Sequence, residues 1–309
     1  MLKRDDISAV IIALPITSQP EYIKQCLSAG KHVLAEKPVA KDVATAQDLI
    51  KWYHINIDTN KVNFSIAEQF RYLTRFRLGA KRVSELGRVL GFRLRLTTLV
   101  EQGGKYISTS WRNKPEYQGG FLLDGGVHFV AGMRILLGSE ARMSRVSAYT
   151  AQLQEYLPPI DTVNAGVKLA NGASGTVAIS FGTTFQGAEW TVACKKGTVE
   201  VDRGKVTIKK RGKEDVENCD DENGVNEEVR AWAESLQTGK WDAMQSPEEA
   251  LADLEVVRPV NFTVARIVLI TCRWRPCSKV VRLMESLLFY LYKYDATRRC
   301  HQTLLINPA

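Results

Sequence analysis

The stretch His32–Ala40, HVLAEKPVA, sets a Glu-Lys-Pro triplet directly after an apolar run. A short run of this kind reads as a strand buried on both faces of a parallel sheet. The triplet then falls at the strand's carboxyl end, the edge at which open α/β sheets bind ligands. Pro38 fixes its own φ and biases Lys37 toward an extended conformation, so the side chain is aimed by a stiff turn. On these grounds Lys37 is either a solvated loop residue ahead of a helix capped by Asp42 or a catalytic cation. The sequence on either side bears on the choice.

Upstream, SAVIIALP is a second continuous apolar run, ended by Pro15. The segment PEYIKQCLSAG follows, with Ile23, Cys26 and Leu27 at helical spacing and Gly30 at the stop. Downstream, DVATAQDLIKWYHIN reads as a helix and KVNFSIA as a third strand. Strand and helix alternate with short connections, the pattern of a doubly wound parallel sheet up to about residue 70. After a linking helix near Thr74 to Leu86 the period changes to two, in RVLGFRLRLTTLV, TVNAGVKLANGASGTVAISF and EWTVACKKGTVEVDRGKVTIKK. These strands predict a mainly antiparallel sheet, with Asn171-Gly172 as a two-residue hairpin turn. Embedded in it, LLDGGVHFVAGMRILLG carries one apolar stripe of Phe129, Val130, Met133, Leu136 and Leu137. Ser246, Pro247 and Glu249 announce a later helix through its cap, first-turn proline and capping-box acid. The predicted class is α/β plus α+β. A doubly wound parallel-sheet domain spans residues 1–73, an antiparallel-sheet domain 74–257, and an atypical basic tail 258–309.

The formal charge of +8 sits mostly in that tail, where nine Lys/Arg against two Asp/Glu give +7 and leave +1 for residues 1–257. The body therefore offers nothing to a polyanion, and no nucleic-acid partner is expected. The tail reads either as an amphipathic basic appendage or as an out-of-frame or unspliced translation. Six scattered cysteines without a CxxC pair, a charged amino terminus and no long uncharged apolar run predict a cytoplasmic protein with no metal site and no membrane span.

A second constellation is Asp124-Gly-Gly-Val-His128. Four residues apart on a helix, the two side chains point to one face, with Asp124 near the helix start. They are either a proton-transfer pair, the aspartate orienting the imidazole, or a capping aspartate with an incidental histidine. Gly119, Gly120, Gly125 and Gly126 would let the backbone approach a ligand closely.

AGKHVLAEKPVA, then AEQFRYL, then SWRNKPEYQGGFLLDGGVHFV, in this order and spacing, resemble the Gfo/Idh/MocA oxidoreductases, over roughly residues 5 to 257. The resemblance implies NAD or NADP lying across the Rossmann sheet. It also implies a polyhydroxy small-molecule substrate, a sugar, cyclitol or related compound, held over the nicotinamide against the antiparallel sheet. Lys37, Asp124 and His128 match the family's catalytic positions, with His128 as acid/base, Asp124 holding its tautomer and Lys37 stabilising charge on oxygen. Pro15, Thr17, Glu36, Lys37, Gln69, Arg71 and Arg112 match positions around the cofactor. The implied reaction is reversible hydride transfer by an NAD(P)-dependent dehydrogenase that forms a homo-oligomer through its sheet. The alternative is a non-catalytic remnant that associates through the same sheet with a longer relative. Members also carry a G-x-G-x-x-G turn and a strand that selects NAD or NADP, and neither pattern occurs here. The expectation is an N-terminally truncated Rossmann domain whose sheet exposes unpaired edges and apolar faces.

Overall fold

The computed structural model describes residues 2–104, 107, 109, 112, 114–115, 120–220 and 223–257. All of them fall in one compact unit, Met1–Thr263, and the basic tail lies outside the described residues. Strands β1 (Ala9–Ile12), β2 (His32–Glu36) and β3 (Phe64–Ala67) alternate with helices α1 (Gln19–Ser28) and α2 (Val43–Asn56). The strands form a sheet in the order β1-β2-β3, both pairs parallel, with Ile11 beside Leu34 and Leu34 beside Ser65. Asp42 caps α2 as expected, its Oδ1 accepting the Thr45 N–H at 2.7 Å. Among the described residues β1 forms an edge of this sheet, and Ile11 and Leu14 are exposed there.

Helix α3 (Thr74–Leu86), after a single 3-10 turn over Gln69–Arg71, leads into an eight-stranded sheet. Its strands are β4 (Val89–Leu99), β5 (Met143–Ala151), β6 (Thr162–Leu169), β7 (Ser174–Ser180), β8 (Gly182–Cys194), β9 (Gly197–Asp202), β10 (Lys205–Lys210) and β11 (Lys213–Asn218), in the order β11-β10-β9-β8-β4-β7-β6-β5. The pairing is antiparallel except between β4 and β7. The β6–β7 connection is not the two-residue turn that Asn171-Gly172 suggested. Ala170, Asn171 and Gly172 form a three-residue loop closed by Gly172 N–H to Leu169 O, with only Gly172 left-handed at φ +89. Asn171 is spent differently, its Oδ1 accepting Ala173 N–H and its Nδ2 donating to Val89 O.

Helix α4 (Gly120–Leu137) lies between the two sheets' cores. Leu123 and Val127 pack into the core of the parallel sheet, together with Ala250 and Leu254 of α6 (Pro247–Val257). Val130, Met133, Leu136 and Leu137 pack into the core of the large sheet. Two glycines permit the helices to close up. A Cβ on Gly132 would meet the Phe76 ring at 2.7 Å, and one on Gly79 would meet Leu136 at the same distance. α4 is long and apolar enough to cross a membrane, but it carries Asp124 and Arg134 and is mostly buried, as a core helix is. The large sheet's other face carries Arg93, Arg95 and Glu189, with Glu200 and Lys209 further along. α6 begins as its sequence predicts, the Ser246 Oγ accepting the Glu249 N–H at 3.3 Å. The Glu249 carboxylate, however, pairs with Arg134 at 2.7 Å instead of closing a capping box.

Candidate active site

Lys37 follows the last residue of β2, and the Lys37–Pro38 peptide bond is cis. Gln19, fully buried at the start of α1, donates its Nε2 to Glu36 O at 3.0 Å and to Pro38 O at 3.4 Å. The chain is thus pinned on both sides of Lys37. The ammonium donates to Asp124 Oδ1 at 2.9 Å and to Asp124 O at 3.0 Å. The other carboxylate oxygen of Asp124 accepts Arg112 Nε at 2.8 Å, and Arg112 also reaches Thr109 Oγ1 at 3.3 Å. Asp124 is 6% exposed, and burial alone would push its carboxyl up. The charges of Lys37 and Arg112 outweigh that, and the net displacement is below the ordinary aspartate range. Asp124 sits in the second turn of α4, not at its cap as the sequence suggested, because the helix begins at Gly120.

His128 lies one turn further along α4. The expected Asp124–His128 pair is not formed. The His128 Nδ1 instead meets Glu68 Oε1 at 2.7 Å, and the Phe70 ring stacks on the imidazole with centroids 5.1 Å apart. The reason is local: Asp124 is already bridged by two cations, whereas β3 delivers the carboxylate of Glu68 straight to the imidazole. Glu68 is 1% exposed, and its Oε1 also accepts the Phe70 N–H at 3.2 Å. Burial pushes its carboxyl up, but His128, Arg71 and Lys37 overcome this, and the net direction is down. With Nδ1 committed, Nε2 is the nitrogen left for a substrate. Lys37 reaches α4 at Asp124, one turn before His128, and both Lys37 and His128 act electrostatically on Glu68 and on Glu36.

The remaining sequence-predicted residues divide. Glu36 is exposed at the end of β2, and Thr17 is exposed in the β1–α1 loop. The Pro15 carbonyl accepts the Ser18 and Gln19 N–H groups that open α1. Gln69 is half-buried, and its side chain has no hydrogen-bond partner among the described residues. Arg71 lies beside Glu68 and acts on its charge, but its guanidinium is buried and its hydrogen bonds go to Asp253 and to Met244 O. Glu68 is the functional residue that sequence reasoning missed. The available signal was an acid immediately after the buried strand FSIA, inside the very motif AEQFRYL. Among the described residues no cluster of three His, Cys, Asp or Glu side chains could hold a metal ion.

A parallel sheet with a lysine at its carboxyl edge, bonded to a helix that also carries a carboxylate-held histidine and that packs on a second, sheet-based half, is the architecture of a two-part dinucleotide-binding protein. The chain belongs to the Gfo/Idh/MocA family. Residues 1–57 match the family model for the NAD-binding Rossmann fold, and residues 81–260 that for the C-terminal alpha/beta domain. It is 38% identical over 279 residues to Dehydrogenase FPY6 of Fusarium mangiferae, a match covering 86% of this chain and 78% of that one. It is 31% identical over 144 residues to a dTDP-3,4-didehydro-2,6-dideoxy-alpha-D-glucose 3-reductase of Actinomadura kijaniata, covering 45% of this chain and 40% of that one. Among solved structures it is similar to an oxidoreductase from Thermotoga maritima, at TM-score 0.75 and 27% identity, covering 83% of this chain and 76% of that one. An Agrobacterium radiobacter oxidoreductase in complex with NAD+, L-tartaric acid and magnesium shares the fold at TM-score 0.71 and 15% identity, covering 83% of this chain and 78% of that one.

The family's cofactor is a nicotinamide dinucleotide, and the described residues that would meet its nicotinamide end are those at the carboxyl edge of the parallel sheet. The ends of β1, β2 and β3 carry Pro15, Thr17, Glu36, Lys37 and Gln69 to one edge, with His128 beside them. The glycine turn that cradles a pyrophosphate has no counterpart in the sequence.

Proposed function

We propose that the protein is an NAD(P)-dependent oxidoreductase acting on a sugar, cyclitol or related hydroxy compound. On this reading residues 1–73 form the cofactor half and 74–257 the substrate half. The nicotinamide, when bound, supplies the site that accepts or gives the hydride. His128 Nε2 takes the substrate hydroxyl proton in the oxidative direction and returns it in the reductive one. Glu68 holds the Nδ1 proton, fixes the tautomer and stabilises the imidazolium, the part sequence reasoning had given to Asp124. Lys37 donates to the reacting oxygen, and Asp124 with Arg112 keeps the ammonium in place. The observation that supports the reading is the His128–Glu68 pair at 2.7 Å, with Lys37 near enough to act on the same Glu68 carboxyl.

The near-neutral body speaks against a polyanion partner, and six scattered cysteines without a CxxC pair support a reducing, cytoplasmic setting. The large sheet's face with Arg93, Arg95 and Glu189 supports self-association, since opposite charges there can pair with those of a second copy. Titration of the purified chain with NADH and NADPH tests the proposal. Nicotinamide fluorescence is expected to change, and turnover of a polyol panel to fall by ~10²–10⁴ in His128→Asn. An unchanged fluorescence at millimolar cofactor would overturn the catalytic reading in favour of a non-catalytic association partner.

A further inference from the structure

One buried acid beside the site has no part in the chemistry above. The first turn of α5 (Val225–Thr238) packs directly on the turn after β3. Gly224, at φ +77, precedes the helix, and a Cβ there would lie 2.5 Å from Gln69 O, so no side chain fits between them. One turn on, the Glu228 N–H donates to Gly224 O at 3.0 Å, and the Glu228 carbonyl accepts Gln245 Nε2 at 3.0 Å. Glu228, 4% exposed, thus stands one helical turn from the Gly224–Gln69 contact, and Glu68, 1% exposed, stands one residue from it, so that the two buried acids act on each other. The Glu228 Oε1 has no hydrogen-bond partner among the described residues. The titratable and charged groups that face it are Glu68 after β3, Glu36 at the end of β2, and Arg71 and Tyr72. Arg71 is the only cation among these four, and it is already paired with Asp253.

Two carboxyls packed together in a dry environment do not both ionise near neutrality, and the proton they share belongs to the pair. Here the asymmetry is built in. Glu68 has the imidazole, so its carboxyl is held charged. Glu228 has no cation of its own, and burial, followed by the charges of Glu68 and Glu36, pushes its carboxyl up to about 8. We propose that Glu228 is a positioning residue for the His128 base: it holds the proton that leaves one negative charge in the Glu68–Glu228 pair, and so fixes Glu68 as the partner of the imidazole. In alkaline medium that proton leaves, and the Glu68 carboxylate that meets the imidazole has a second buried negative charge acting on it.

The inference rests on the reading of His128 as the base, but its test uses neither cofactor nor substrate. In the full-length chain labelled with 13C, the His128 Cε1 resonance is expected to show an alkaline step centred near the pH of about 8 at which Glu228 ionises. The step disappears in Glu228→Gln and returns in Glu228→Asp. A step that persists in folded Glu228→Gln, or its absence from the wild type, overturns the proposal. Should Glu228→Gln fail to fold, the wild-type Glu228 carboxyl carbon decides. A midpoint near 8 supports the inference, and one among ordinary surface carboxylates, at roughly 4–5, overturns it. Failure of the chain to bind NADH would leave this result untouched, so the two readings fail separately.

Discussion

Two cation–carboxylate pairs tie the parallel-sheet part of the molecule to the helices that follow, and they behave differently. Lys37, at the end of β2, meets Asp124 of α4, and Arg71, just after β3, meets Asp253 of α6. From sequence both cations belong beside a cofactor. In the structure the Lys37 side chain keeps 13% of its surface exposed, while Arg71 and Asp253 keep 3% each. Asp253 is gripped by a second arginine, Arg134, which also holds Glu249 through its carbonyl at 3.0 Å and its carboxylate at 2.7 Å. At Asp253 burial prevails and pushes the carboxyl up despite both arginines, whereas at Asp124 the cations prevail and the carboxyl is held down. A charge wholly enclosed serves the fold, and one left with an open side can serve a ligand.

The largest expected effect lies on the enclosed side. Arg71→Met leaves Asp253 with one partner in a sealed environment, and loss of ~3–5 kcal/mol of stability is expected in urea unfolding. That is a large share of the ~5–15 kcal/mol a domain has. Lys37→Met is expected to do the reverse. Turnover falls ~10²–10³-fold, because a donor to the reacting oxygen is gone. Stability changes by only about 1 kcal/mol, since Arg112 still satisfies Asp124. A Lys37 variant that unfolds while an Arg71 variant stays folded and inactive would reverse the assignment.

The same contrast has a pH signature. Asp124, with its folded value depressed, contributes stability that is present above the ordinary 3.8 and is lost as pH falls through the folded value. Asp253, with its folded value raised, contributes stability that is fully present below 3.8 and is lost as pH rises toward the folded value. The stability gap between wild type and Asp124→Asn should therefore narrow on acidification from pH 7. The gap between wild type and Asp253→Asn should move in the opposite direction. Urea midpoints for the three proteins across this range would show two slopes of the same sign if the distinction between the pairs is wrong.

What the sequence reveals follows the range of the interactions involved. β2, β3 and α3 are legible because local pattern determines them: an apolar run buried on both faces, or an apolar stripe at helical spacing. The parallel β4–β7 pairing is not legible, because it joins Gly91 to Ser174, 83 positions apart, and alternation says nothing about direction. Within the site, Lys37 and His128 stand out as motif residues. Which acid serves which base depends on a competition that only the packed structure resolves. Asp124 has the right spacing to meet His128, yet Lys37 and Arg112 claim it first, and Glu68 arrives from another strand. Arg71 was misread for the same reason, since its position three residues after Glu68 does not disclose that Asp253 lies within reach.

Gln19 sharpens the comparison at its finest grain, because it acts on Lys37 without touching Asp124 or any substrate. Its Nε2 bridges the carbonyls on either side of the lysine, while its Oε1 is buried without a partner among the described residues. Gln19→Met keeps the volume, removes that orphaned oxygen and deletes both donated bonds. Losing a buried donor to two carbonyls costs about 1–2 kcal/mol, reduced in part by removal of the unsatisfied acceptor. The larger consequence is geometric: a turn free to shift displaces the ammonium, and misplacement on the order of 1 Å is enough to lower turnover by up to ~10²-fold. A loss of kcat several times greater than the change in KM, with an unfolding midpoint close to wild type, is the expected outcome. Equal changes in both constants would instead mean that the turn holds the cofactor and not the lysine.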